Sequence, residues 1–152
     1  MPELIISDAS SLIVLDKIGH LDMLNCCYEN ICTTPEVVTE YGLLLPEWIK
    51  VQSASNVILQ QFLETTLDKG EASAITLATE LEDARLILDD LKARKTAKSM
   101  NLKITGTLGV LVKAKQEDCI SSIREIIELL RSTDFRMSDT LIEEILRQAG
   151  EH

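Results

Sequence analysis

Short apolar runs that read as strands alternate with segments that read as helices, and this alternation predicts an α/β fold with a parallel sheet covered by helices on both faces. Acidic residues stand directly after two of the strand-like runs, Asp8 after Glu3 to Ser7 and the pair Asp89/Asp90 after Leu86-Ile87-Leu88. In open parallel sheets, sites form outside the carboxyl ends of the strands, so both acids reach the same edge. A chain of 152 residues holds one sizeable core. One domain over 1–152 is expected, with its core at about 3–116 and further helices at about 120–149.

The elements follow in order. Glu3 to Ser7 is a short apolar strand, and Ser10/Ser11 can cap a helix through Ile18. Leu21 to Tyr28 reads as a second helix and Asn30 to Thr33 as a brief strand. Thr34-Pro35 opens another helix with a cap and an N1 proline, and Pro46 closes it. Ile49 to Gln52 is an edge-strand candidate, Ser55 to Leu67 a helix, Gly70 to Glu82 a further helix, and Ala84 to Leu88 a compact strand. Leu91 to Met100 is helical, Leu102 to Thr105 extended, and Thr107 to Gln116 helical after Gly106. Two amphipathic helices end the chain, one lined by Ile123, Ile126, Ile127 and Leu130, the other by Leu141, Ile142, Ile145 and Leu146 behind a Ser138 or Asp139 cap.

Composition narrows the chemistry. Apolar residues make up 45% and aromatics only 3%, leaving the core to Leu, Ile, Val and Ala. No stretch approaches a membrane span, and Met1-Pro2-Glu3 lacks the basic start of a signal peptide, so a cytoplasmic protein is expected. Cys26, Cys27, Cys32 and Cys119 have no zinc-type spacing and read as buried, reduced thiols. His20 and His152 are the only histidines, which leaves any chemistry to carboxylates. A net charge of −10 disfavours nucleic acid at first sight. Leu91 to Gln116, however, carries 7 of the 15 basic residues and no acidic one, a stripe that directly follows Asp89/Asp90.

Two more acids lie on helix stripes. Val37, Glu40, Tyr41 and Leu44 share one face, as do Glu71, Ala74, Ile75 and Ala78, so Glu40 and Glu71 are expected to point inward. Inward carboxylates without a cation are strongly disfavoured, and together with Asp8 and Asp89/Asp90 they suggest a divalent metal site. Each also has a plain structural use. Asp8 can end a strand, Asp90 can cap the helix after it, and Asp68-Lys69-Gly70-Glu71 has the spacing of a capping box.

Taken in order, Ile5-Ile6-Ser7-Asp8-Ala9-Ser10-Ser11-Leu12-Ile13, Val37-Val38-Thr39-Glu40, Gly70-Glu71-Ala72-Ser73-Ala74-Ile75 and Leu86-Ile87-Leu88-Asp89-Asp90 with Ala93-Arg94 resemble the PIN domain, from about Leu4 to Ala114. Thr105-Gly106-Thr107-Leu108-Gly109-Val110-Leu111 is similar to a segment of a small prokaryotic subfamily. The resemblance implies a three-layer α/β/α fold and a Mg²⁺- or Mn²⁺-dependent endoribonuclease, often the toxin of a toxin-antitoxin pair. It implies an RNA substrate, a small antitoxin and a homodimer. Asp8, Glu40, Glu71 and Asp90 would be the metal-binding acids. Either Asp89 or Asp90 matches the family's last aspartate; its Thr-x-Asp pattern favours Asp90, with Leu88 standing where the family has Thr. Glu71 stands where many members carry Asp.

Hard oxygen ligands suit Mg²⁺ or Mn²⁺, and such ions serve phosphodiester hydrolysis without histidine. Asp8 and Asp90 are expected as ligands, Glu40 as a ligand or the orienter of water, and Glu71 at a second ion. Ser10, Arg94 and Thr107 are candidate substrate contacts: Ser10 through its hydroxyl, Arg94 to the backbone or simply to Asp90, and Thr107 at a helix N-terminus. Two other classes compete. One is a non-catalytic interaction module; the other is an aspartyl phospho-acceptor domain, which Leu102-Lys103-Ile104-Thr105 discourages by ending without a lysine at the sheet edge.

Overall fold

The computed structural model describes residues 3–151. The elements run β1 (Leu4–Ser7), α1 (Ala9–Lys17), α2 (Met23–Cys27), β2 (Asn30–Thr33), α3 (Pro35–Tyr41), β3 (Ile49–Val51) and α4 (Val57–Leu63). They continue α5 (Lys69–Glu80), β4 (Ala84–Ile87), α6 (Leu91–Ser99), β5 (Lys103–Thr105), α7 (Thr107–Gln116), α8 (Ile123–Arg131) and α9 (Asp139–Gln148).

Strand side chains alternate between two apolar cores, which makes the fold a three-layer α/β/α sandwich. Ile5, Ile31 and Ile87 face one core with α1, α2, α3, α7, α8 and α9; Ile6, Cys32 and Leu86 face the other with α4, α5 and α6. The sheet is five-stranded and parallel, in the order β3-β2-β1-β4-β5. After β1 the chain builds outward through β2 to β3, then crosses to the other side for β4 and β5. The switch point therefore lies between β1 and β4, where Ser7 pairs with Ile87, and a cleft is expected just beyond those residues.

Local chemistry fixes the helix starts at this edge. Asp8 is extended and accepts the Ser11 N–H at 3.0 Å, so Asp8 is the cap of α1 and Ser10/Ser11 lie inside it. Thr34 caps α3 through Val37 N–H, with Pro35 at the first helical position. That helix ends at Gly42, whose φ of 75° is the left-handed stop, and not at Pro46. Leu44 consequently leaves the stripe and is 95% exposed.

Two of the four cysteines depart from the expectation of reduced thiols: Cys26 and Cys119 form a disulfide, with Cα atoms 5.9 Å apart. Successive residues on a helix point about 100° apart, so Cys27 turns into the core while Cys26 turns outward to the bend after α7. Cys27 and Cys32 are free and buried. Among the described residues, no helix is long and apolar enough to cross a membrane.

Candidate active site

Four elements bring acids to the carboxyl edge. Asp8 follows β1 and is 2% exposed, the most deeply placed of them. Burial first, then the neighbouring charge of Asp89 and more weakly that of Glu71, push its carboxyl well above the usual range, against hydrogen bonds from the backbone of Ser11 and Asp89. Glu71, in the first turn of α5, is half-buried and pushed up to about 7 by burial, then by Asp68, Asp90 and Glu40, against a hydrogen bond from the Asp68 backbone. The capping box is fully formed: Asp68 accepts Glu71 N–H at 2.7 Å and Glu71 accepts Asp68 N–H at 3.4 Å. Structural use and proximity to other acids thus coexist in one residue.

The double aspartate divides its labour. Asp89 accepts the Thr107 N–H at 2.8 Å on one oxygen and the Thr107 hydroxyl at 2.5 Å on the other. Ser11 Oγ stands 3.1 Å from the same threonine oxygen. Thr107, expected at a phosphate, is therefore a fully buried clamp on Asp89. Asp90 is exposed and caps α6 by accepting Ala93 N–H at 2.9 Å on Oδ2, leaving Oδ1 without a hydrogen bond among the described residues.

Glu40 is a correction to the inward expectation. With α3 only one face wide, Val37 and Tyr41 take the buried positions and Glu40 lies exposed on the rim. Its carboxyl end still approaches α5: a side chain at Gly70 would meet Glu40 Oε1 at 3.9 Å. Partial shielding and Asp68 raise its pKa. Ser10 is exposed at the mouth of the cleft, and Arg94, which does not pair with Asp90, donates Nη1 to Leu88 O at 2.8 Å.

The Gly-Thr-Leu-Gly segment makes this packing possible. A Cβ at Gly106 would come to 3.0 Å from both Arg94 Nη1 and Asp89 Oδ1, and one at Gly109 would collide with Thr105 Oγ1. The basic stripe is split. Lys92, Lys95 and Lys98 are exposed on α6, whereas Lys103, Lys113 and Lys115 pair with Asp83 and Glu3, Glu117, and Glu151. Lys103 opens β5 and binds away from the acidic edge, so it does not serve as an acyl-phosphate lysine.

Among the described residues none of Asp8, Glu40, Glu71, Asp89 and Asp90 pairs with a lysine or arginine. Mutual repulsion in a partly buried place with only hard oxygen donors fits a divalent cation. No three acids among the described residues are already gathered as one ligand group.

An open cavity of about 870 Å³ adjoins the acids through Ser10, Asp89 and Asp90 and extends under the turn between α8 and α9. Sequence reasoning missed that turn, since nothing local to Thr133 to Arg136 signals that it folds back over β5 and α1. Sequence comparison adds one finding: a family model described as a PIN domain matches residues 4–151. No curated protein and no solved structure matches the chain.

Proposed function

The chain belongs to the PIN domain family, and on that premise we propose that it is a Mg²⁺- or Mn²⁺-dependent endoribonuclease. The observation that carries this reading is the set of carboxylates at the ends of β1 and β4 that repel one another and have no cationic partner among the described residues. Asp8 and Asp90 would hold the ion, with Glu71 and, from the rim, Glu40 beside them. Asp89 would contribute mainly by position, since Thr107 occupies both of its oxygens. A bound ion supplies an activated water near neutral pH and neutralises charge developing on the phosphate. Asp8 is fixed by its cap bond and by burial, which pre-organises it. Asp90, held by one oxygen only, can turn the other toward ion or water.

The toxin reading and the homodimer remain part of the proposal. They draw support from exposed apolar side chains, Leu43 and Leu44 after α3 and Val57, Ile58 and Phe62 on α4, which a second copy or a small antitoxin would cover.

The test is calorimetric titration of Mn²⁺ into wild type, Asp8→Asn and Asp90→Asn, paired with cleavage of single-stranded RNA. Asparagine caps helices as well as aspartate, so both variants should keep their circular dichroism. Binding that weakens at least about tenfold in both variants, with cleavage lost in parallel, is expected. Equal binding in all three proteins, or none at millimolar metal, would overturn the reading in favour of a non-catalytic interaction module.

A further inference from the structure

We propose that the cavity beside the acids holds the unpaired nucleotide next to the scissile phosphate of a single-stranded RNA, with its base on Phe135 and its phosphate among Lys17, Arg94 and Arg136. This rests on the nuclease reading for the position of the scissile bond. The cavity's size of about 870 Å³ lies in the ordinary range of about 300–1,000 Å³ for ligand sites. Its walls divide into two chemistries. Ile13, Val14 and Leu108 form an apolar side, closed by Phe135 from the α8–α9 turn and by Leu141 and Ile145 of α9. Lys17, Arg94 and Arg136 bring positive charge to the same space, and none of the three has a carboxylate partner among the described residues.

Both features run against the character of the chain. It has a net charge of −10 and only two phenylalanines, yet one of them lines this cavity together with three cations that equal in number its carboxylates Asp89, Asp90 and Asp134. Apolar walls with an aromatic face and cations at the side are what an unstacked base and its phosphate require, whereas a duplex offers no free base face to such a cleft. Continuity with Ser10, Asp89 and Asp90 sets the order along the strand: a phosphate at the acids leaves the adjoining nucleotide at the cavity. Asp134 also lines the space and offers an acceptor to base N–H groups or a ribose hydroxyl. The turn is held in shape, with Phe135 N–H donating to Thr133 Oγ1 at 3.1 Å and the ring half-buried against the core.

The probe is a single-stranded RNA pentanucleotide carrying 2-aminopurine at its centre, titrated by fluorescence in EDTA so that binding is read without cleavage. Binding to wild type takes the central base out of the strand's own stack and should raise the fluorescence. Phe135→Ala should weaken binding about tenfold or more while Phe135→Trp retains it, and Arg136→Ala should weaken it with a salt slope reduced by about one. Arg136 is exposed, so that variant keeps the test valid if Phe135→Ala unfolds. Binding unchanged in both Phe135→Ala and Arg136→Ala overturns the proposal, as does absence of any fluorescence change at millimolar protein, which would leave the cavity to an apolar segment of a protein partner. Metal-dependent cleavage with equal kcat/KM in wild type and both variants sinks the cavity assignment alone. RNA bound through Phe135 and Arg136 but never cut in Mn²⁺ supports the cavity as an RNA site and sinks the nuclease reading alone.

Discussion

Asp89 and Asp90 are neighbours in the chain with opposite duties. Asp89 spends both oxygens on Thr107 and so ties the end of β4 to the start of α7; Asp90 spends one on Ala93 and keeps one. Thr107→Val keeps the shape and removes the buried hydroxyl that satisfies Asp89. A hydrogen bond to a charged group contributes about 1.5–3 kcal/mol, so urea denaturation should show a loss in that range, restored in large part by Thr107→Ser. Asp89→Asn should also lower stability, whereas Asp90→Asn should leave it nearly unchanged because the cap survives. A wild-type-like Thr107→Val would show that the clamp contributes nothing. The sequence exposes the two aspartates but not their roles, because the discriminating partner, Thr107, is eighteen positions downstream of Asp89 and approaches it only through the pairing of β4 with β5.

Elements with strong local signals were legible: Asn30–Thr33 and Thr107–Gln116 lie where the periodicity places them, and Asp68 and Ser138 cap as their spacing suggests. What local pattern misreads is tertiary. Glu40 shares a stripe with Val37 and Tyr41 on a helical wheel, but a seven-residue helix stopped at Gly42 buries only its central line. The start of α8 shows the same limit. Ser122 caps it by accepting Glu125 N–H at 3.4 Å, yet the stronger cap comes from Glu151, which accepts Ile123 N–H at 2.7 Å, Arg124 N–H at 3.2 Å and the Ser122 hydroxyl at 2.9 Å and pairs with Lys115. Burial alone would raise this carboxyl, but these bonds outweigh it and hold the pKa at about 2, below the ordinary 4.5. A depressed carboxyl stabilises the fold above its unfolded value and loses that contribution as pH falls from about 4.5 through about 2. Glu151→Gln should therefore cost about 1–2 kcal/mol at pH 7, allowing for solvent screening, and almost nothing near pH 2. Denaturation of both proteins at the two pH values checks this, and a penalty independent of pH would show that the carboxylate's charge is not what holds the C-terminal segment to α8.

At the scale of the molecule, the sheet order places Asp8 and Asp90 at one switch point, and the Cys26–Cys119 bond fixes the layer on one side of that sheet. The bond joins α2 to the bend after α7, and the 93 positions it spans include β2, β3, β4 and β5. Closing so long a loop restricts the unfolded chain and contributes about 2–4 kcal/mol in the usual case. For a chain of this length each kcal/mol moves Tm by about 2–4 °C, so reduction should lower Tm by about 5–15 °C. Cys26→Ser/Cys119→Ser should match the reduced wild type and ignore added reductant. The other two thiols report on the same bond. Burial holds Cys27 and Cys32 up at about 11, so neither is a thiolate near neutral pH and neither is accessible to a labelling reagent in the native state. Oxidised protein should accordingly take up no label when native and two equivalents when unfolded, rising to four only after reduction. Four equivalents on unfolding without reductant would mean that the pairing does not form, and the layer would then rest on its apolar core alone.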